Sequence, residues 1–325
     1  MENRVLGPLG STSALTLGGA GIAGCWGPTS TDEALATIEA AVDAGISLLD
    51  VAPSYETSQA PREAERLVGA AFNGRLPSGV RVLTKVSVED ADPEAIRATI
   101  RESLEQSLQT MRLDRVDILV HHAYLRPPRM PYLPPTLSYD LYRRVLRPEF
   151  EALREEKLIG AWGLTATGHP EAVFSALGEE PLPQVVQSVT NLLDSPGSLW
   201  NFGEAEQPDN SGTRRRASEA GIGVMGIRAV QAGALTDALD RTLPPDDPDR
   251  HDFDRAGGLR ALATRRGESA AFLAYRYALS MESVDTVVIG VKNREELAEC
   301  VAAEAAGRLS PDEMQEVERS AGRSV

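Results

Sequence analysis

Side chains that can carry or transfer a proton stand at or just after the ends of three apolar runs. Asp50 lies near the end of the run at residues 46–51, and Tyr55 follows that run. Lys85 lies near the end of the run at residues 80–86. His121 and His122 end the third. A phenol has a pKa of about 10, and an ammonium within about 4 to 6 Å lowers it because it favours the phenolate. We therefore expect Lys85 to lower the pKa of Tyr55, Asp50 to hold Lys85 by a salt bridge, and an imidazole to place a carbonyl oxygen. This set suits protonation of an alkoxide that forms from a carbonyl.

The runs that carry these groups predict buried parallel strands. Residues 46–51 are almost entirely apolar, which is typical of a strand covered on both faces. Pro53 ends this strand, because proline cannot donate to a ladder. In α/β folds the functional groups gather at the carboxyl ends of the strands, whereas the opposite end mostly serves stability. Adjacent strands lie about 5 Å apart, so the side chains at their ends can converge.

Eight apolar runs, each followed by a helical pattern, predict an α/β fold. This number is typical of a single (β/α)8 TIM barrel. No linker divides the chain, so we expect one domain over residues 1–325, with a short N-terminal hairpin at residues 4–17 and long βα loops at residues 124–139 and 240–258. The predicted barrel strands are residues 19–24, 46–51, 80–86, 116–122, 159–165, 184–188, 222–227 and 286–290.

Composition narrows the class of protein. The chain has 325 residues and 42% hydrophobic content, enough for a large core. A formal charge of −15 argues against nucleic acid or an anionic membrane as a partner, because both require clustered Lys and Arg. The two cysteines have no metal-ligand spacing and fit a reducing compartment, and no secretory or membrane-spanning stretch is evident. We expect a soluble cytoplasmic protein that acts on a small molecule without a bound metal.

Two other site types match parts of the sequence less well. Gly19 to Gly24 fits the dinucleotide fingerprint G-x-G-x-x-G, but the residues that follow, up to Pro28, cannot continue the helix that this fingerprint requires. A metal-dependent hydrolase would need ligands on one face. His121 and His122 are neighbours on a strand and therefore point to opposite faces. A purely structural ion pair between Asp50 and Lys85 remains the alternative to a catalytic role.

The order and spacing of these motifs resemble the aldo-keto reductase superfamily, barrel enzymes that move a hydride between a nicotinamide cofactor and a carbonyl. The resemblance covers nearly the whole chain. The similar motifs are Asp50-Val-Ala-Pro-Ser-Tyr55, Glu65-x-Leu-Val-Gly69, Thr84-Lys85-Val, Val116-Asp-x-x-x-x-His122, Gln187-x-x-x-Asn191, Gly221-Ile-Gly-Val and Ile289-Gly-x-Lys-Asn-x-Glu-Glu-Leu.

The resemblance implies roles for the proton-transfer groups. Tyr55 would be the general acid or base, with Lys85 and Asp50 tuning it. The family spacing from Asp117 selects His122, rather than its neighbour, to help place the carbonyl.

The resemblance also implies a cofactor, NADP, with NAD as the alternative. Thr165 is followed by Ala166 where the family commonly has Ser-Asn, so one amide contact to the nicotinamide is missing. Ile227 replaces the usual stacking aromatic. Arg228 could meet the pyrophosphate, or could serve as an ordinary structural arginine. The implied cofactor-binding residues are Asp50, Thr165, Gln187, Ile227, Arg228, Gly290, Lys292, Asn293 and Glu296.

Two residues near the chain's last barrel strand oppose each other in the choice of cofactor. Lys292 is similar in position to the family's basic residue for the 2′-phosphate, and a cation there favours NADP. Glu296 lies one helical turn on, where a carboxylate repels a phosphate and accepts from a ribose hydroxyl. The sequence leans modestly to NADP.

A different class of function is a reductase-like barrel that binds cofactor but serves as a regulatory subunit, since fold does not fix function. The presence of all four proton-transfer residue types favours the enzyme. The tyrosines at positions 124, 132 and 139 suggest an aromatic-lined substrate pocket.

Overall fold

The computed structural model of the protein describes residues 1–58, 60–203 and 205–323. Eight of its strands pair in parallel, in chain order, and close into a barrel, so the predicted (β/α)8 TIM barrel is confirmed. The barrel strands are β3 (Leu15–Gly18), β4 (Leu48–Asp50), β5 (Arg81–Val86), β6 (Val116–His121), β9 (Ile159–Thr165), β10 (Val185–Val189), β11 (Gly223–Ile227) and β12 (Thr286–Ile289). Outside the barrel lie β1 (Asn3–Val5), β2 (Ser11–Ser13), β7 (Tyr124–Arg126) and β8 (Thr136–Ser138).

Helices occupy the connections between the barrel strands. Their starts follow sequence signals: the Ser30 side chain accepts from the N–H of Glu33 at the start of α2, and Asp92 with Pro93 begins α4. No helix within the described ranges is both long and apolar enough to cross a membrane. The helices are α1 (Gly19–Ile22), α2 (Thr31–Asp43), α3 (Glu63–Phe72), α4 (Pro93–Met111), α5 (Tyr139–Leu141), α6 (Arg147–Glu155), α7 (Pro170–Gly178), α8 (Asn210–Glu219), α9 (Pro248–Arg255), α10 (Gly257–Arg266), α11 (Ala270–Ser280), α12 (Arg294–Ala305) and α13 (Pro311–Ser320).

The N-terminal hairpin closes one end of the barrel. β1 and β2 pair antiparallel, and Leu6 between them is fully buried. Leu6 belongs to the cluster that fills the barrel interior, with Leu48, Leu83 and Met225 among its neighbours. A Cβ on Gly7 would lie 2.3 Å from the backbone nitrogen of Gly223, so only glycine allows the hairpin to approach β11 this closely. The hairpin therefore covers the amino ends of the strands and leaves their carboxyl ends open.

The first barrel strand was predicted in the wrong place. It is β3, which overlaps the end of the span assigned to the hairpin, whereas residues 19–22 form the short helix α1. The hairpin turn lies at Gly7 to Gly10, so its second strand already ends at Ser13 and the apolar residues Leu15 and Leu17 are free to enter the barrel.

The two predicted long loops contain more regular structure than expected. Residues 124–138 include β7 and β8, a short parallel pair. Residues 240–258 include α9, which the Asp247 side chain caps with Pro248 at the first position, a helix-start signal in an otherwise charged segment.

Candidate active site

The carboxyl ends of the barrel strands open into a cavity of about 750 Å³. Asp50, Thr165 and Ile227 each end a barrel strand and line this cavity. Tyr55 and His122, which follow β4 and β6, line it as well. The structure thus brings the predicted proton-transfer groups to one place.

Asp50 and Lys85 form a buried ion pair, of which Asp50 lines the cavity. They are 2% and 1% exposed, and Lys85 Nζ is bonded to Asp50 Oδ1. Lys85 also donates to the carbonyl of Val51 at 3.0 Å, and Gln187 Nε2 donates to the second oxygen of Asp50. Burial lowers the pKa of Lys85, but Asp50 and Tyr55 raise it more, so its pKa lies above the ordinary value. Lys85 is therefore an ammonium at neutral pH.

Tyr55 lies directly beside this ion pair. Lys85 Nζ is 4.5 Å from the centroid of the Tyr55 ring, and the rings of Tyr55 and His122 meet edge to face with centroids 5.7 Å apart. Burial raises the pKa of Tyr55 by more than Lys85 lowers it. Lys85 does lower this pKa, as expected, but the net shift is upward, because desolvation disfavours the phenolate more than one ammonium favours it. Tyr55 carries its proton at neutral pH.

The two adjacent histidines have different surroundings, as strand alternation requires. His122 lines the cavity, with its Nδ1 3.4 Å from the hydroxyl of Ser54. Burial, then Lys85 and His121, lower the pKa of His122 to about 3, so its imidazole is neutral. His121 is fully buried, and its Nε2 lies 3.2 Å from the carbonyl of Val88. No group of three His, Cys, Asp or Glu among the described residues is arranged to hold a metal ion.

A chain of hydrogen bonds links the end of β9 to the end of β4 through Gln187 in the middle of β10. Thr165 donates its hydroxyl to Gln187 Oε1 at 3.3 Å, and Gln187 donates in turn to Asp50. Ile227, at the end of the neighbouring strand β11, adds an apolar side chain to the lining of the cavity.

Arg228 lines the cavity but already has protein partners. Its guanidinium lies 3.3 Å from Asp249 Oδ1 and donates to the hydroxyl of Ser198 at 3.1 Å. Its backbone has a φ of 61°, in the left-handed region that is uncommon for a side chain of this size. Arg228 thus connects the end of β11 to the first turn of α9 and to the segment that follows β10.

The far end of the cavity lies at the start of α12. Gly290, Lys292 and Glu296 line it, whereas Asn293 does not and instead accepts from the N–H of Glu296 at 2.9 Å as the cap of α12. Lys292 Nζ lies 2.8 Å from Glu296 Oε1 and 2.9 Å from Asp240 Oδ2.

Sequence reasoning missed several residues of the cavity. Asp240 and Arg241 line it, although the sequence predicted only a long loop at residues 240–258. The guanidinium of Arg241 lies 5.6 Å from the ring of Trp26. No local pattern marks a loop that folds back over a distant strand end, so these contacts had no signal in the sequence. Tyr275, Glu299 and Cys300 also line the cavity.

Comparisons with known proteins bear on the family and on the fold of this chain. A model of the aldo/keto reductase family matches residues 14–321. L-galactose dehydrogenase of Arabidopsis thaliana is 24% identical over 307 residues, which are 93% of this chain and 88% of that protein. Two solved structures share the fold. An aldo-keto reductase from Bacillus halodurans in its holo form has a TM-score of 0.74 at 22% identity, covering 100% of this chain and 98% of that one. A glycerol dehydrogenase from Gluconobacter oxydans has a TM-score of 0.69 at 23% identity, covering 98% and 94%.

Proposed function

Because the chain belongs to the aldo/keto reductase family and is an oxidoreductase, we propose that Tyr55 is the general acid or base of its hydride-transfer reaction. The reaction reduces an aldehyde or ketone to an alcohol with NAD(P)H, or runs in reverse. The observation that carries this proposal is the convergence of Tyr55, Lys85, Asp50 and His122 at one end of the cavity.

The cavity fits a nicotinamide dinucleotide. Its volume of about 750 Å³ falls within the usual range for ligand pockets, and it extends from Tyr55 to the start of α12. Thr165 and Gln187 place a hydroxyl and an amide where a ring carboxamide can bind, and Ile227 supplies an apolar surface for the ring. These residues would hold the nicotinamide end of the cofactor.

The bound cofactor supplies the hydride, and the protein supplies position and a proton. Tyr55 is protonated and lies next to the cavity, so its hydroxyl can donate to the oxygen of a substrate carbonyl. Lys85, 4.5 Å from the Tyr55 ring, stabilises the phenolate that this donation leaves. The neutral imidazole of His122 orients the carbonyl oxygen, and Asp50 fixes Lys85 in place.

The sequence favours NADP as the cofactor through Lys292, and dependence on NADP is typical of the family. The reactive ring is the same in NAD and NADP. The proposed reaction therefore holds for either cofactor.

Several hydroxyl groups line the cavity that contains the proposed proton donor, and they favour a hydroxylated substrate. Ser54, Ser87, Tyr124 and Thr167 all line the cavity, and the buried hydroxyl of Thr167 has no hydrogen-bond partner among the described residues. A site that can hydrogen-bond substrate hydroxyls discriminates against analogues that lack them. The similarity to an L-galactose dehydrogenase agrees with a hydroxylated carbonyl compound or alcohol as substrate.

Only one of the three tyrosines expected in an aromatic pocket lines the cavity. Tyr124 does so, whereas Tyr132 is 49% exposed and donates to Glu89. The hydroxyl of Tyr139 donates to Glu179 at 2.7 Å, outside the cavity. The family match does not favour the alternative of a non-catalytic regulatory subunit.

Tyr55→Phe tests the proposal. We expect turnover to fall by about 10²- to 10⁴-fold, the usual effect of losing a general acid. Cofactor affinity should stay nearly unchanged. Purified protein is assayed with NADH and NADPH against a panel of aldehydes and ketones, and cofactor affinity is measured by titration. Tyr132→Phe is the matched control, because it removes a phenol that is 49% exposed and lies outside the cavity, and it should keep most of the turnover. Retention of the wild-type rate by Tyr55→Phe would remove Tyr55 from this role.

A further inference from the structure

Lys292, the cation that suggested a 2′-phosphate site, is paired with two carboxylates. Its Nζ lies 2.8 Å from Glu296 and 2.9 Å from Asp240. Burial lowers the pKa of Lys292, but hydrogen bonds from these two carboxylates raise it more, so the ammonium persists. Burial raises the pKa of Asp240, but the hydrogen bonds and charges of Lys292 and Arg241 together lower it below its ordinary value, so that carboxylate is ionised too. The positive charge of Lys292 thus lies between two negative side chains. Arg241, the other cation beside Asp240, is also paired, because its guanidinium lies 3.4 Å from Asp240 and 3.6 Å from Asp249.

Arg294, the next cation along the chain, is also paired with a carboxylate of the protein. Its guanidinium binds the carboxylate of Glu33 through two contacts, of 3.1 and 2.9 Å. The hydrogen bond from Arg294 is the main cause that lowers the pKa of Glu33 to about 2. This ion pair joins α12 to α2 and directs Arg294 to a carboxylate of the protein.

Backbone N–H groups at the start of α12 have partners as well. A helix N-terminus commonly binds phosphate through such groups. Here the N–H of Lys292 donates to Glu296 Oε2 at 2.8 Å, and the N–H of Arg294 donates to Glu33 at 2.9 Å. The N–H of Glu296 donates to the capping side chain of Asn293. A phosphate at this position would have to displace oxygen atoms of the protein.

We propose that this end of the cavity is a site for a free ribose hydroxyl, and that the enzyme therefore prefers NAD(H) to NADP(H). This inference rests on the proposed function. Glu296 and Asp240 line the cavity, and a carboxylate accepts hydrogen bonds from ribose hydroxyls but repels a 2′-phosphate. Glu296 is the main determinant because it binds both the side chain and the backbone N–H of Lys292. The contacts of Lys292 thus reverse the lean to NADP that its position alone suggested.

Titration of the cofactor-free, full-length protein with NADH and with NADPH tests the proposal. Calorimetry, or quenching of tryptophan fluorescence, reports binding without catalysis, and Trp26 lines the cavity. We expect NADH to bind at least about tenfold more tightly, a difference of about 1.4 kcal/mol. Glu296→Gln should reduce this ratio mainly by tightening the binding of NADPH, and Asp240→Asn should reduce it less.

Glu295→Gln is the matched control. Glu295 lies in the same first turn of α12, and its replacement by Gln changes the net charge by the same amount as Glu296→Gln. Glu295 is exposed and does not line the cavity. Its ratio of affinities should equal that of the wild type. Equal affinities for the two cofactors, or tighter binding of NADPH, would overturn the proposed preference. Failure of both cofactors to bind would instead refute the proposed function.

Discussion

At the level of single residues, the groups around the proposed proton donor hold defined charge states at neutral pH. Lys85 is an ammonium because Asp50 faces it, and His122 is neutral because burial and two neighbouring groups lower its pKa to about 3. Tyr55 is a neutral phenol whose pKa burial raises. The site therefore offers one transferable proton, on Tyr55, beside one fixed positive charge.

These charge states predict the pH dependence of carbonyl reduction. A general acid works in its protonated form, so the rate should fall only as pH rises through the raised pKa of Tyr55. We expect kcat with saturating NADH to be flat from about pH 6 to about pH 9 and to decline above that range. The reverse oxidation needs the phenolate and should instead rise with pH.

Initial-rate profiles in both directions check this pH dependence. An ordinary histidine would titrate near pH 6.5, so His122 should produce no inflection there. An inflection near pH 6.5 that disappears in His122→Asn would contradict the neutral state of His122.

The sequence could predict which residues meet, but not how their surroundings act on them. Asp50 and Lys85 each lie near the end of a buried apolar run, and neighbouring runs become neighbouring strands, so their pairing follows from local patterns. The rise in the pKa of Tyr55 depends on its burial in the folded protein, which no local sequence pattern indicates. The same holds for Asp240, which reaches Lys292 across 52 positions of sequence. Such contacts are set by the fold of the loops and have no local signal.

At the level of elements, stability and function belong to opposite ends of the barrel. β1 and β2 close the amino ends of the strands, and the proposed site lies at the carboxyl ends. Sequence patterns located seven barrel strands to within about two residues, because their apolar runs are distinct. They failed for β3 because its short apolar run lies next to the hairpin. The strand was instead predicted at residues 19–24, which are rich in glycine.

Leu6→Ala tests the role of the hairpin. Leu6 is fully buried in the barrel interior, and removal of a buried leucine side chain typically costs about 2 to 5 kcal/mol of the free energy of unfolding. We expect a loss of this size in urea denaturation, with the KM values for cofactor and substrate little changed. Val5→Ala is the control, because Val5 is 66% exposed in the same hairpin and its replacement should change stability by less than about 0.5 kcal/mol. Similar losses for the two variants would show that Leu6 does not hold the hairpin in the barrel.

At the level of the whole molecule, one hydrophobic cluster extends from the first barrel strand to α12. It includes Ala14 beside the first barrel strand and Ala303 in α12, with members from most barrel strands and helices between them. Such continuity supports the proposal that residues 1–325 form a single domain. The net charge of −15 acts on the same scale: it disfavours anionic ligands in general, and a ligand with an additional phosphate more strongly.

A single domain with one cofactor site should unfold as one unit and be stabilised as one unit. We expect one thermal transition in calorimetry, and NADH at about 100 times its Kd should add about 2.7 kcal/mol to the free energy of unfolding. An unfolding entropy of about 2.1 cal/mol/K per residue gives about 0.7 kcal/mol/K for this chain, so the Tm should rise by about 4 °C. Tyr55→Phe should show the same rise, because it keeps cofactor binding. Two transitions, only one of which moves with NADH, would contradict the single domain, since an independent unit would not sense a ligand bound to its neighbour.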